Sequence, residues 1–170
     1  MYKSILLAGI LFFSSCRATT YYIVRHAEKE SSTTMTQTTM SSNTMTSDVP
    51  LSEAGKQRAE ALKDMLQKEN IRHIFSTNYI RTKSTAQPLA DAIDVPIEIY
   101  DQKDASFAAK LKSMNGNVLI VGHSNTVDDL VNELTGKKEL SDLPDSAFGD
   151  LFIVKKKGRH FTFERKHFGQ

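Results

Sequence analysis

Short apolar runs that alternate with helix-spaced segments constrain this chain more than any other feature of its sequence. Residues 21–24, 71–75, 97–100 and 118–121 are β-prone and bounded by polar or turn-forming residues, which predicts strands. Between them lie segments with the spacing of amphipathic helices. Ser52, just after Pro50, is a candidate N-cap, and Ala59, Leu62, Met65 and Leu66 form the expected inward face of the helix it starts. Ser76-Thr77-Asn78 offers a cap for a second helix through Arg81 to about residue 93, which Pro88 is expected to kink or interrupt. A third helix is expected over about residues 105–114, followed by an Asn115-Gly116-Asn117 turn, and a fourth over 127–134 with Gly136 as its C′ residue. Residues 151–155 and 160–165 read as a closing hairpin that turns through Lys157-Gly158. Strands and helices in this alternation predict an α/β fold, a three-layer α/β/α sandwich with a mostly parallel central sheet.

With 39% apolar residues in a chain of 170, there is material for one core, so a single domain over residues 16–170 is expected. The 22 basic and 20 acidic residues leave a formal charge of +2, which makes no electrostatic case for binding nucleic acid. Cys16 is the only cysteine, which excludes an intrachain disulfide and a multi-cysteine zinc site.

Ligands of parallel sheets sit beyond the carboxyl ends of the strands. Arg25-His26 follow the first apolar run directly, Arg81 follows the second by a few residues, and His123 follows the fourth. A lone histidine at a strand end is more often a hydrogen-bonded loop residue than a catalyst. Two histidines and two arginines aimed at one sheet edge from separate strands are a stronger signal. Guanidinium is a planar fork that matches phosphate oxygens, and two of them neutralise a phosphate dianion from different directions.

Arg25-His26-Ala27-Glu28-Lys29, Leu51-Ser52-Glu53-Ala54-Gly55, residues 76–86 and Val121-Gly122-His123-Ser124, in this order and spacing, resemble the histidine phosphatase superfamily, also called phosphoglycerate mutase-like, in its compact branch. The resemblance spans about residues 21–134. It implies a phosphoglycerate mutase-like fold, a phosphohistidine formed on His26, binding of the phosphoryl group by Arg25, Arg81 and His123, and no metal or organic cofactor. Imidazole attacks phosphorus only when neutral, and cations at Arg25 and Arg81 favour that form of His26. Many family members place an acidic proton donor after the strand that follows the second arginine motif. Here that region reads Tyr100-Asp101-Gln102-Lys103-Asp104-Ala105, so Asp101 and Asp104 are both candidates, and Asp104 equally suits an N-cap. Ser124 suits either a cap or a backbone N–H donor to phosphate.

The expected activity is hydrolysis of phosphomonoesters or phosphoramidates, on a phosphorylated small molecule or a phosphoprotein. The alternatives are a phosphoryl-transfer mutase of the same fold, a phosphate-binding lipoprotein without turnover, and a metal hydrolase using His26, Glu28 and His123. Arg25 would repel a cation in the last of these.

At the N-terminus, Lys3, the apolar residues 5–13 and Ser14-Ser15 before Cys16 have the layout of a secretory signal peptide over residues 1–15. The run is shorter than the roughly 20 apolar residues that cross a bilayer. Phe13-Ser14-Ser15-Cys16 resembles a bacterial lipoprotein processing site, with Phe13 in place of the usual Leu, so Cys16 is expected to carry lipid and tether an exported protein that faces the periplasm or cell exterior. Cleavage after Ala18 would release a soluble exported form instead. Residues 31–47 contain only Ser, Thr, Met, Asn and Gln, with Met35, Met40 and Met45 spaced five apart. Such a segment buries too little apolar surface to offset its ordering entropy, and reads as a low-complexity insertion over about residues 31–48 rather than as a methionine site for a soft metal.

Overall fold

A computed structural model describes residues 18–31, 48–144 and 146–169. Among them, β1 (Thr19–Arg25), β2 (Ile71–Ser76), β3 (Ile97–Ile99), β4 (Asn117–Gly122), β5 (Asp150–Lys157) and β6 (His160–His167) form one sheet in the order β3-β2-β4-β1-β5-β6. The first four strands are parallel, and β5 and β6 add an antiparallel edge beside β1. The helices are α1 (Glu53–Leu66), α2 (Ile80–Ile93), α3 (Phe107–Ser113) and α4 (Ser124–Thr135).

Strand side chains alternate between two cores. Tyr21, Ile23, Phe75, Ile120 and Phe152 pack with Leu111 of α3 and Val127, Val131 and Leu134 of α4. Tyr22, Val24, Ile74, Leu119 and Leu151 pack with Leu62 and Leu66 of α1 and Leu89 of α2. Helices therefore cover both sheet faces, giving the expected α/β/α sandwich. Coverage on both sides is also why the central strands read as unbroken apolar runs.

Several boundaries differ from those expected, each for a local reason. Ser52 does cap α1, accepting from the Gly55 N–H at 3.1 Å, but the buried face is Gly55, Ala59, Leu62 and Leu66, and Met65 is left 37% exposed. The cap of α2 does not come from Ser76-Thr77-Asn78. Instead the Ile80 N–H donates to Asp48 Oδ1 at 2.7 Å, a long-range partner that local sequence does not reveal. Pro88 does not end α2, which runs on to Ile93 with Leu89 and Ala90 buried beyond it. The third helix starts two residues late, because Asp104 Oδ1 accepts from the Ser106 N–H and hydroxyl at 2.8 and 2.7 Å and holds a turn there. The fourth starts earlier, at Ser124, and the hairpin strands reach further than expected, to Lys157 and His167. Gly136 ends α4 in the left-handed region as expected, at φ 70°.

Gly55 explains the second motif. A Cβ there would lie 2.1 Å from the Glu28 carbonyl oxygen, so only glycine lets the first turn of α1 rest on the loop that follows β1. The same loop pairs with the chain before α1: Ser52 N–H donates to Glu28 O at 2.9 Å and Glu30 N–H to Pro50 O at 3.0 Å. Both ends of the low-complexity insertion are thus fastened side by side. Met35, Met40, Met45 and Cys16 lie outside the described residues.

Candidate active site

Three adjacent strands end together and set the site. Arg25 faces Gly122 in the β1–β4 register, and the next residue continues it, with His26 N–H donating to Gly122 O at 2.9 Å. On the other side of β4, Thr77 N–H donates to Val121 O at 3.4 Å. His26, His123 and Thr77 are consequently the first residues past β1, β4 and β2, side by side. The two imidazoles meet with ring centroids 5.4 Å apart at an interplanar angle of 68°. Arg81, in the first turn of α2, brings Nη2 to 3.5 Å from His123 Nδ1. Arg25, His26, Arg81 and His123 open together into a cavity of about 260 Å³, with Lys29, Gln102 and Ser124 among its other walls.

Both arginines are held in place. Arg25 Nη1 donates to Pro144 O at 3.3 Å and its guanidinium carbon lies 4.3 Å from the Phe148 ring centroid. Arg81 stacks on Tyr79 at 4.3 Å and pairs with Asp48 at 3.8 Å. Thr85 accepts from the Ala27 N–H at 2.9 Å and donates to Arg81 O at 2.8 Å, which pins the helix carrying Arg81 to the loop carrying His26. Glu28 is committed elsewhere: both its carboxylate oxygens accept from Arg58 Nε and Nη2 at 2.7–2.9 Å. A metal set of His26, Glu28 and His123 does not assemble, and among the described residues no three metal-ligating side chains converge.

The family model for the histidine phosphatase superfamily (branch 1) matches residues 21–104, the span that carries Arg25, His26 and Arg81. The chain belongs to the histidine phosphatase superfamily. Solved structures of the family share its fold. A glucosyl-3-phosphoglycerate phosphatase from mycobacteria is 14% identical over 89% of this chain and 98% of its own, with a TM-score of 0.60. A protein of Agrobacterium tumefaciens assigned as the phosphohistidine phosphatase SixA is 19% identical over 86% and 97%, at 0.61. A phosphoglycerate mutase from Bacillus anthracis is 15% identical over 89% and 93%, also at 0.61. No curated protein matches the chain. Superfamily members of this kind are phosphatases or mutases, and a site with two arginines and two histidines fits a phosphorylated substrate.

Hydrogen bonding sets which nitrogen of His26 carries the lone pair. Nδ1 lies 2.8 Å from the Ala27 carbonyl, which only accepts, so Nδ1 carries the proton and Nε2 the lone pair. Burial pushes the pKa of this ring down to about 4, aided by Arg25, Arg81 and Lys29 and opposed by the Ala27 carbonyl. His123 is likewise brought down to about 4, by burial first and then by Arg81, His26 and Arg25. The arginines act in the expected direction, but burial is the larger cause. Neutral rings in the fold and ordinary histidines near 6.5 in the unfolded chain fix the sign of the linkage. This contribution to stability is fully present above about pH 6.5 and is lost as pH falls toward 4, by about 2 kcal/mol per ring at pH 5. Urea midpoints measured at pH 7.5 and 5 should show this fall, and replacing His123 by Gln should reduce it; equal midpoints for the native protein at both values would contradict neutral burial.

Neither acidic candidate reaches the cavity beside His26, where Gln102 stands between them. Asp101 Oδ1 accepts from the Lys103 N–H at 2.9 Å. Asp104 is turned to Ser106, whose two donors hold its carboxyl below the usual range and keep it ionised. Ser124 lines the cavity as the first residue of α4. Lys29, Gln102 and Thr77 were not singled out by motif reasoning. For Lys29 the available signal was its place in the first motif, for Thr77 its adjacency to the end of β2, and for Gln102 its place in the loop after β3.

Proposed function

We propose that this protein is a phosphatase that hydrolyses phosphoramidates or phosphomonoesters with good leaving groups through a phosphohistidine on His26. The observation that carries this reading is the neutral His26, whose Nδ1–H is fixed on Ala27 O and whose Nε2 lone pair is therefore free to attack, within a cavity shared with Arg25, Arg81 and His123. In the first half-reaction the Nε2–P bond forms as the bond from phosphorus to the leaving oxygen or nitrogen breaks. The imidazole becomes cationic, and the Ala27 carbonyl stabilises it by accepting a stronger hydrogen bond from Nδ1. In the second, water adds to phosphorus, the P–N bond breaks, and phosphate and neutral His26 are regenerated. The guanidinium groups hold the phosphoryl oxygens as charge develops on them.

The leaving group determines substrate class. General acid help is worth roughly 10²- to 10⁴-fold for a poor leaving group, and among the described residues the cavity wall holds Gln102 and no carboxylic acid. This supports phosphoramidates, phosphohistidine among them, and activated esters over simple alkyl phosphates. The test is rapid-quench labelling with phosphoramidate: an acid-labile, base-stable adduct on His26 is expected, and turnover without any adduct would remove the reading.

We also infer, from the sequence of residues 1–18, that the protein is exported and anchored through lipid on Cys16, where it meets a phosphorylated small molecule or phosphoprotein. Mass spectrometry of the mature N-terminus should find acylated Cys16. An unmodified chain beginning after Ala18 would replace the tether with a soluble exported form.

A further inference from the structure

We propose that Thr77 is a positioning residue that fixes the tautomer of His123, so that the site takes up a phosphate dianion together with one proton, at His123 Nδ1. The inference rests on the reading above only in taking the cavity to bind phosphoryl oxygens.

The hydrogen bonds around Thr77 run in one direction. The Thr82 hydroxyl has a single proton, which goes to the carbonyls of Thr77 and Tyr79 at 2.9 and 3.0 Å. Its oxygen is then the acceptor for the Thr77 hydroxyl at 3.0 Å. With its own proton so placed, Thr77 Oγ1 turns a lone pair to His123 Nε2 at 2.9 Å and must receive a proton from it. All three side chains are buried, so water does not substitute for any of these partners. Nε2 therefore carries the proton and Nδ1 is bare. On that side stands Arg81 Nη2 at 3.5 Å, a group that only donates and would oppose an Nδ1–H.

A bare Nδ1 attracts cations and repels phosphate oxygens. His123 is flanked by Arg25 and His26 from the end of β1, by Tyr79 and Arg81 from the start of α2, and by Lys29, Gln102 and Ser124 across the cavity; none of these wall residues is a carboxylate. Among the described residues, no side chain lining the cavity stabilises a second proton on the ring. A dianion does, because it turns Nδ1 into a donor facing two negative charges while Nε2 remains on Thr77. One N–H bond forms at Nδ1 for each dianion bound, with the proton drawn from solvent. For a substrate bound as its monoanion the same proton comes from the phosphoryl group itself, and the charge reaching phosphorus is unchanged.

Sulfate is a suitable probe, since it stays a dianion throughout the range of interest and any proton must end on the protein. In nitrogen-15 spectra of histidine-labelled protein at pH 7.5, His123 should show the Nε2–H tautomer when free and protonation of both nitrogens with saturating sulfate. The His123 signals are assigned by their loss in His123→Asn. Thr77→Val removes the acceptor with little change of shape and should let the Nδ1–H tautomer appear in the free protein; Thr77→Ser should restore the native pattern. Sulfate affinity in the native protein should weaken up to tenfold per pH unit above neutrality through His123, and this dependence should flatten in Thr77→Val. A free His123 protonated at Nδ1, or a ring still neutral in the sulfate complex, would overturn the proposal. An unaltered tautomer in Thr77→Val would remove Thr77 from it. If Thr77→Val fails to fold, the two native spectra still decide. Loss of the His26 adduct with proton uptake retained would instead sink the hydrolytic reading and leave this one standing.

Discussion

Replacing His26 by alanine should reduce hydrolysis of phosphoramidate or an aryl phosphate by at least about four orders of magnitude, because it removes the atom that divides the reaction into two displacements. Binding should survive. Arg25, Arg81 and His123 are held by Pro144, Phe148, Tyr79, Asp48 and Thr77, and of these partners Phe148 alone is in ring contact with His26, at 6.2 Å between centroids. The variant is thus expected to retain affinity for inorganic phosphate while giving no acid-labile label after quenching. That combination separates a lost nucleophile from a collapsed site. Near-native turnover in the purified variant would end the covalent mechanism, whatever the binding data showed.

Alanine at Arg81 or at His123 should each lower kcat/KM by at least about a hundredfold, in line with the 3 to 4 kcal/mol lost when one preorganised donor to a developing charge is removed. Much of the loss should fall on kcat, since both groups face oxygens whose charge grows along the reaction. Arg81→Lys should recover only part of it, because a lysine supplies charge without the planar fork that spans His123, Tyr79 and Asp48. A purely KM effect in steady-state measurements would assign these residues to ground-state binding alone.

Much of the molecule was legible because it depends on local pattern. The runs that became β1 and β4 are apolar on both faces, and parallel packing leaves that signature directly in the sequence. His26 and His123 were legible for a related reason: each is the first residue past a central strand, so finding the strand finds the side chain. What could not be read depends on partners far along the chain. Asp48 caps a helix 32 positions away and also meets Arg81, while Thr77 was expected as a helix cap and instead holds an imidazole 46 positions away. Asp101 and Asp104 show the converse. Their spacing was compatible with an acid in the site, but two-residue contacts with Lys103 and Ser106 keep their carboxylates in the loop.

β1 has the chain's upstream segment at Thr19 and the imidazole of His26 just past its far end, a span of about 20 Å at ordinary strand rise. Anything that grips the polypeptide ahead of Thr19 holds it by the foot, with the chemistry at the crown. A fatty attachment there would turn the mouth of the enzyme toward the surrounding fluid. Freely diffusing molecules would then meet it first, and headgroups of the supporting leaflet would lie out of its range.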